Sequence, residues 1–250
     1  MKQRFKQLAL FIVRYKFWNG IILFLKFQAG LVSNIRLPRI QHPIFLRNKT
    51  SDLPTFYQVF LENYYLLDFA KKPKVVIDGG ANVGLFAITV KNEFPESKVI
   101  CIEPDPENFE VLHKNLSPYK DVYFENSGLW NKDTKLKVYD KYNSGKWGMV
   151  VEEDLKDGKV PAICLSSLIR KYGIDRIDVL KIDIETSEKQ VFAEGYEEWL
   201  PKVRTLIIEL HDWMEEGCSR PFFEAVNKSF RNYHYSMCGE NTIIINRDIE

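Results

Sequence analysis

The first 51 residues contain no acidic side chain, because the first acid in the chain is Asp52. The rest of the chain has 25 basic and 34 acidic residues and so a formal charge of −9, although the formal net charge of the whole chain is +1. This separation of charge indicates that the front segment has its own partner or packs on an acidic body. We predict a basic, aromatic N-terminal helical extension over residues 1–50 and one main domain over residues 51–250. The ten basic residues of the front segment are Lys2, Arg4, Lys6, Arg14, Lys16, Lys26, Arg36, Arg39, Arg47 and Lys49.

Cysteine is scarce, and the few that occur are far apart in the chain. Their spacing matches no zinc motif and argues against a structural metal site or a disulfide framework. We therefore predict a reducing compartment and a cytoplasmic location. The four are Cys101, Cys164, Cys218 and Cys238.

Long uncharged apolar runs are missing near the start. The longest, residues 17–25, is about half of the roughly 20 residues that a membrane-spanning helix needs. The run LALFIV is followed by Arg14 and Lys16 and by no clear cleavage site, so we expect no secretory signal. Residues 3–27 instead predict a helix, broken near Gly20, that mixes aromatic and basic residues. Such a helix can lie on the inner face of a membrane or form the interface of a homo-oligomer. No nucleic-acid-binding module is visible.

From residue 74 the chain alternates between short apolar runs and helical patterns. Continuous apolar runs are typical of parallel strands that are covered on both faces, so we predict an α/β fold with a mostly parallel, Rossmann-like sheet. Residues 134–164 interrupt the alternation and predict a hairpin or flap. Residues 233–246 predict a final hairpin. The predicted strands are 74–78, 98–102, 121–125, 177–182 and 204–210, and the predicted helices are near 83–93, 106–117, 187–194 and 219–229.

The stretch KVVIDGGANVGLFAITV places an acid and three glycines between a strand and a helix. This layout is typical of a nucleotide-binding turn, but it lacks both G-x-G-x-x-G and the Lys-Ser/Thr pair of a P-loop. An acid at the strand tip suits a ligand with a cationic end, such as S-adenosylmethionine. The candidate cofactor residues here are Asp78, Gly79, Gly80, Asn82 and Gly84.

The second and third strands supply the other cofactor candidates. Glu103 follows Asp78 by 25 residues, a spacing that suits an acid binding both ribose hydroxyls, and Pro104 shapes the turn after it. At the end of the third strand, Asn126 and Ser127 are candidate polar contacts to the adenine. Leu129 and Trp130 are candidate apolar walls, and Trp147 is a candidate for stacking on a sugar.

The fourth and fifth strands should carry the acceptor site, because ligands of parallel sheets bind where the strands end. His211 is a candidate general base, since imidazole titrates near neutral pH. Lys181 could instead be the base, but we favour its neutralising the acids around it. A second hypothesis is a divalent site for Mg²⁺ or Mn²⁺, built from Asp183, Glu209 and His211. The predicted acceptor-side residues are Lys181, Asp183, Glu185, Glu209 and His211, followed by Asp212.

Four segments, VVIDGGANVG, IEPDPENFEVL, VLKIDIETSE and LIIELH, resemble those of FkbM-type S-adenosylmethionine-dependent methyltransferases and occur in the same order. The resemblance covers about residues 47–211. It implies a seven-stranded methyltransferase core and O-methylation of a sugar, glycan or natural product, for example a cell-surface polysaccharide precursor. One departure is Thr186, which stands where that family usually has glycine. A dinucleotide-dependent oxidoreductase and a cofactor-binding protein without catalysis are the alternatives.

Overall fold

Two β-sheets organise the chain after residue 74. The computed structural model describes residues 2–65, 71–139 and 150–249. The strands are β1 Val75–Gly79, β2 Lys98–Ile102, β3 Val122–Glu125, β4 Gly128–Trp130, β5 Thr134–Tyr139, β6 Val150–Glu153, β7 Val160–Cys164, β8 Ile177–Ile182, β9 Val203–Glu209, β10 Tyr233–Cys238 and β11 Asn241–Asn246. The main sheet has seven strands in the order β10-β11-β9-β8-β1-β2-β3.

Five neighbouring strands of the main sheet are parallel, and the final hairpin adds β11 and β10 antiparallel at one edge. Side chains alternate between two apolar clusters, one on each face of the sheet. Val76 and Val99 face one cluster, while Ile77 and Ile100 face the other. Burial on both faces explains why these strands read as continuous apolar runs. The Rossmann-like, mostly parallel sheet is confirmed.

Helices connect the parallel strands and cover both faces. The predicted helix at 187–194 is only one turn long: α7 ends at Val191, and the next residue, Phe192, leaves the helical region with φ of −100° and ψ of 1°. The helix α6 was not predicted from the sequence, although its apolar spacing and the C-terminal Gly173 are typical signals. The α-helices are α1 Lys2–Tyr15, α2 Phe17–Gln28, α3 Asp52–Phe56, α4 Leu85–Glu93, α5 Pro106–Leu116, α6 Leu165–Tyr172, α7 Glu188–Val191 and α8 Ser219–Ser229.

The N-terminal extension is a pair of helices that pack on each other. The break between α1 and α2 lies at Lys16, with φ of 66°, so the predicted break near Gly20 is wrong. Gly20 lies inside α2 at the helix crossing, where an added Cβ would approach the Phe11 carbonyl oxygen to 2.6 Å. Its missing side chain therefore permits close packing of the helices. No helix in the described ranges is long and apolar enough to cross a bilayer.

The segment from 134 to 164 contributes β5, β6 and β7 to the second sheet, whose order is β4-β7-β5-β6. The strands β5 and β6 form a hairpin, and Trp130 packs with Leu136 and Val151 in the core of this sheet. The role of this segment as a flap stays a prediction. Trp147 lies outside the described residues.

Candidate active site

A cavity of about 290 Å³ lies where the parallel strands β1, β2, β8 and β9 end. This edge is the usual ligand site of such sheets. Seven predicted site residues do not line the cavity: Asp78, Gly79, Gly84, Asn126, Ser127, Trp130 and Asp212. The ten that line it are Gly80, Asn82, Glu103, Pro104, Leu129, Lys181, Asp183, Glu185, Glu209 and His211.

The turn after β1 is held by backbone contacts on two sides. Gly80 N and Ala81 N donate hydrogen bonds to the Ile102 carbonyl, at 3.0 and 2.9 Å. Gly80 has a φ of 73°, and an added Cβ would lie 1.7 Å from the Asp183 carbonyl oxygen. Only glycine fits here, because any side chain would strike backbone that cannot yield. The turn thereby joins the ends of β1, β2 and β8.

Glu103 is a buried carboxylate that faces the cavity and is held by backbone donors. Its Oε2 accepts from Asn82 N at 2.8 Å, and its Oε1 accepts from Asp105 N at 3.0 Å. Burial raises the pKa of Glu103 to about 7, although these hydrogen bonds oppose the rise. Asn82 Oδ1 is buried and has no hydrogen-bond partner among the described residues. A carboxylate and an unsatisfied amide oxygen at one wall fit the hydroxyl and amino donors of S-adenosylmethionine.

Asp78 lies behind the cavity wall, and does not face the cavity as its position in the motif suggests. Its register partner on β8 is Lys181, so both side chains share one face of the sheet. Lys181 Nζ lies 3.3 Å from Asp78 Oδ1 and donates to the Gly80 carbonyl at 2.8 Å. Burial would lower the pKa of Lys181, but the charge of Asp78 outweighs burial and the pKa is raised. Lys181 therefore stays charged, and its ammonium group links Asp78 to the Gly80 carbonyl of the turn.

The remaining cofactor candidates support the walls. Asn126 Nδ2 donates to the Glu103 carbonyl at 2.9 Å and so holds the turn after β2, while Ser127 is buried with no partner for Oγ among the described residues. Leu129 lines the cavity as an apolar wall, but Trp130 does not. Gly84 caps α4 with a φ of 84°.

The acceptor side gathers four carboxylates around one imidazole. His211 is buried, and its Nδ1 contacts Glu188 Oε1 at 2.9 Å. The Glu188 side chain is fully buried, so this contact fixes the orientation of the ring. The other ring nitrogen, Nε2, faces three acids at the cavity: Glu185 Oε2 at 3.3 Å, Glu209 Oε1 at 3.6 Å and Asp183 Oδ1 at 3.7 Å.

Burial and the neighbouring charges together set the protonation of this cluster. Burial alone would lower the pKa of His211, but the hydrogen bond to Glu188 and the surrounding carboxylates outweigh burial and raise it to about 10. Burial raises the pKa of Glu185 to about 8 and that of Glu209 to about 7. In the free protein the imidazole is therefore already protonated at neutral pH. The expectation that His211 titrates near neutral pH is not met by this arrangement.

A candidate cation site overlaps the same cluster. Asp183, Glu209 and His211 each offer one ligand atom, and these atoms lie within 4.8 Å of one another. Carboxylate oxygens suit Mg²⁺ or Mn²⁺. Asp212 does not join the cluster, because its carboxylate accepts from Gly217 N and Ser219 N and orders the loop before α8.

Comparison with known proteins identifies this arrangement. Residues 78–237, which contain the turn after β1 and all the acceptor-side residues, match the model of a family described as "Methyltransferase FkbM domain". The chain belongs to the FkbM methyltransferase family. It is an S-adenosylmethionine-dependent methyltransferase, and an oxidoreductase is thereby excluded.

Relatives in the FkbM family are distant. The chain is 28% identical over 212 residues to "Methyltransferase sdnD" of Sordaria araneosa, an alignment covering 68% of this chain and 78% of that protein. It is 25% identical over 191 residues to "31-O-demethyl-FK506 methyltransferase FkbM" of Streptomyces tacrolimicus, covering 63% and 74%. The crystal structure of an FkbM methyltransferase from Methylobacillus flagellatus KT superposes with a TM-score of 0.51 and 13% identity. That match covers 97% of this chain and 59% of the longer chain, and it supports the fold.

The departure from the FkbM pattern at Thr186 has a structural counterpart. Glu185 and Thr186 both have left-handed φ angles, of 51° and 76°. A β-branched residue in that region costs about 1–3 kcal/mol, so the glycine that is usual at this position has a conformational reason. Glu185 is one of the acids that face His211, and the strained turn positions its carboxylate.

Several cavity residues of this FkbM protein were missed in the sequence. Trp213 is 77% exposed, and its ring centroid lies 6.3 Å from that of His211. Its position two residues after His211 was the available signal. Met214, the next residue after Trp213, also lines the cavity. Others reach it from distant segments that no local motif marks: Thr55, Gln58, Val59, Tyr65, Val151 and Glu240.

Proposed function

We propose that this protein methylates a hydroxyl of a sugar or glycan. The supporting observation is the acceptor half of the cavity, which is lined by Asp183, Glu185 and Glu209 and also by Trp213, whose side chain is exposed. Carboxylates accept hydrogen bonds from vicinal hydroxyls, and an aromatic face packs on the apolar face of a sugar ring. A mainly hydrophobic acceptor would cover these three carboxylates without offering them hydroxyl donors, which is costly.

The residues divide the work between cofactor and acceptor. S-adenosylmethionine, when bound, supplies an electrophilic methyl group. Glu103 would accept from the ribose hydroxyls, and Asn82 would accept from the amino acid end. The acceptor oxygen must lie in line with the methyl–sulfur bond, so positioning by the acceptor-side residues supplies much of the rate.

The acceptor hydroxyl loses its proton when the oxygen–methyl bond forms and the sulfur–methyl bond breaks, so a base must accept that proton. Glu209, with a pKa of about 7, can take this proton near neutral pH. His211 in its charged form would then donate from Nε2 to the acceptor oxygen and hold it in place. In this arrangement His211 orients the acceptor and Glu209 is the base.

A divalent cation is the second candidate for activating the acceptor. The clustering of ligand atoms from Asp183, Glu209 and His211 favours it. The bond between His211 Nδ1 and buried Glu188 also matches the carboxylate–histidine arrangement that orients metal-bound imidazoles. Mg²⁺ or Mn²⁺ bound there would lower the pKa of the acceptor hydroxyl.

The test is a screen of acceptors with the purified protein and S-adenosylmethionine, read by mass spectrometry. Sugars, nucleotide sugars and glycans are compared with hydroxylated natural products. A gain of one CH₂ on a sugar, matched by release of S-adenosylhomocysteine, is the expected result. Methylation of the natural products alone would contradict the proposal and match the activity named for the Streptomyces relative. Loss of turnover with a chelator, restored by Mg²⁺, would select the cation route over Glu209 as base.

A further inference from the structure

The outer surface of the α1–α2 pair is unusually apolar. Twelve large hydrophobic side chains are exposed among the described residues, and seven of them lie between residues 5 and 31. Contiguous exposed apolar surface marks an interaction site more often than scattered single residues do. We call these seven residues the hairpin outer face: Phe5, Val13, Phe17, Trp18, Ile22, Leu25 and Leu31.

Helix α2 is apolar on both of its sides. Its inner side packs through Leu23 and Phe27, whose ring lies 4.6 Å from that of Phe56. Its outer side carries Trp18, Ile22 and Leu25, which are 74%, 52% and 57% exposed. Their i, i+4, i+7 spacing places them on one stripe. A surface helix whose partner is water has polar residues there, so this stripe is suited to an apolar environment.

Basic residues flank the hairpin outer face. Arg14, Lys16 and Lys26 are exposed, and no ion pair neutralises them in the part of the chain that the structure describes. No acid occurs before Asp52, and Asp52 is buried and paired with Arg47 at 2.8 Å. An apolar stripe bordered by unpaired cations matches the layered chemistry of an anionic lipid surface, with hydrocarbon beneath and phosphate above.

We propose that the hairpin outer face binds the interface of an anionic lipid bilayer. Helix α2 would lie flat, because its 12 residues are about 18 Å long at 1.5 Å per residue, short of a bilayer's hydrocarbon thickness. Trp18, Ile22 and Leu25 enter the headgroup boundary, and the cations contact lipid phosphates. This surface is separate from the cavity and goes beyond the proposed methylation.

Charge argues against a second copy of this chain as the occupant. A two-fold interface places the same patch opposite itself, so two faces that lack any acid would meet. Like charges brought together across an interface are unfavourable. The acidic body of another copy could pair with the hairpin only head to tail, an arrangement that closes into a ring or continues as a filament.

The chain offers a matched pair of sites for the test. The dipeptide Leu-Lys occurs in α2 as Leu25-Lys26 and on the acidic body as Leu155-Lys156, and all four side chains are exposed. Leu25→Ser/Lys26→Glu changes the proposed surface, and Leu155→Ser/Lys156→Glu makes the same change elsewhere. Because both sites are exposed, neither change should disturb the core, and circular dichroism checks this.

The measurement is co-sedimentation of the full chain with vesicles of phosphatidylglycerol and phosphatidylcholine, and with phosphatidylcholine alone. We expect wild type and the Leu155/Lys156 variant to bind the anionic vesicles equally. The Leu25/Lys26 variant should bind about tenfold or more weakly, because one cation is reversed and one apolar anchor is lost. Added salt should weaken wild-type binding, since it screens the cations.

Three results would overturn the proposal. The first is equal binding of the two variants to anionic vesicles. The second is wild-type binding that does not depend on lipid charge or salt. The third is a wild-type oligomer, seen by analytical ultracentrifugation without lipid, that dissociates in the Leu25/Lys26 variant alone, because the hairpin outer face would then be a contact between copies.

Discussion

The two halves of the cavity are built in different ways. On the cofactor side, Glu103 is held by two backbone N–H groups, from Asn82 and Asp105. On the acceptor side, four carboxylates surround His211, and their charge balance depends on the protons they hold. The first half is therefore ordered by backbone donors, whereas the second is ordered by contacts between ionisable side chains.

This difference separates recognition from chemistry. A cofactor that is the same in every turnover is well served by fixed backbone donors. An acceptor that loses a proton during the reaction needs groups that titrate near the working pH, and crowded carboxylates provide them. The halves meet at Gly80, whose Cα faces the Asp183 carbonyl.

The largest effect should come from Gly80→Ala, which breaks the junction of the two halves. A Cβ there meets backbone and the φ is left-handed, so we expect a loss of more than about 3 kcal/mol in unfolding free energy and of both cofactor binding and turnover. Gly217→Ala is the control, because its φ is also left-handed but no atom lies within 4 Å of the added Cβ. Similar thermal denaturation curves for the two variants would contradict the role of the clash.

Next in size is His211→Ala, which should act on the acceptor half alone. We expect turnover to fall about 10²-fold or more, because the oriented donor is lost, while the affinity for S-adenosylmethionine stays near wild type. Steady-state kinetics and calorimetric titration measure the two quantities on protein shown to be folded. An equal loss of cofactor affinity would show that the halves are not separable.

Glu103→Ala is the converse change on the cofactor half. Losing a charged hydrogen-bond partner should weaken S-adenosylmethionine binding by about 1–3 kcal/mol. Glu125→Ala is its control, since Glu125 ends the neighbouring strand β3 but does not line the cavity. Asp78→Ala should also weaken binding, through the release of Lys181 from its ion pair. Unchanged affinity in both the Glu103 and Asp78 variants would remove the case for the turn as the cofactor site.

The pH dependence of stability gives a smaller effect with a defined sign. The pKa of His211 is raised from 6.5 to about 10, so the folded state binds this proton more tightly than the unfolded state. Its contribution is fully present below pH 6.5 and is lost as the pH rises toward 10. We expect the thermal midpoint of wild type to fall more steeply between pH 6.5 and 10 than that of His211→Gln. Equal slopes of thermal midpoint against pH for the two proteins would show that the folded state does not bind the His211 proton more tightly than the unfolded state.

The smallest predicted effect is that of Trp213→Ala. Losing one stacking contact should raise the acceptor KM about two- to tenfold and leave kcat nearly unchanged. The matched control is Trp18→Ala, because Trp18 is similarly exposed, at 74%, but lies on the hairpin. A kcat loss as large as that of His211→Ala would place Trp213 in the chemistry instead of in binding.

Local patterns in the sequence predicted most of the main sheet. Strands β2 and β8 match their predicted ranges, β3 begins one residue later than predicted, and β1 and β9 are each displaced by one residue. The final hairpin also forms as predicted, with Gly239 in its turn at a φ of 59°. These elements were readable because both faces of each parallel strand are buried, which leaves a continuous apolar run.

The N-terminal helices and the second sheet were less predictable. Helix α1 ends at Tyr15 although no glycine or proline stands there, and Gly20 continues a helix because the neighbouring helix needs its small volume. Around residues 128–164, the pairing of β4 with β7 joins strands that are about 30 residues apart. Pairings over such distances leave little local signal.

By itself, the sequence determined which acids and glycines reach the carboxyl edge of the sheet, since motif position and strand alternation are local properties. Only the tertiary structure decided what each does there. The Asp78 side chain lies behind the cavity wall, beside Lys181 on the neighbouring strand β8. The Glu103 carboxylate faces the cavity and accepts a hydrogen bond from Asn82 N. The charge of His211 was likewise decided by carboxylates from separate segments. A pKa depends on burial and nearby charge, and both exist only once distant parts of the chain have packed together.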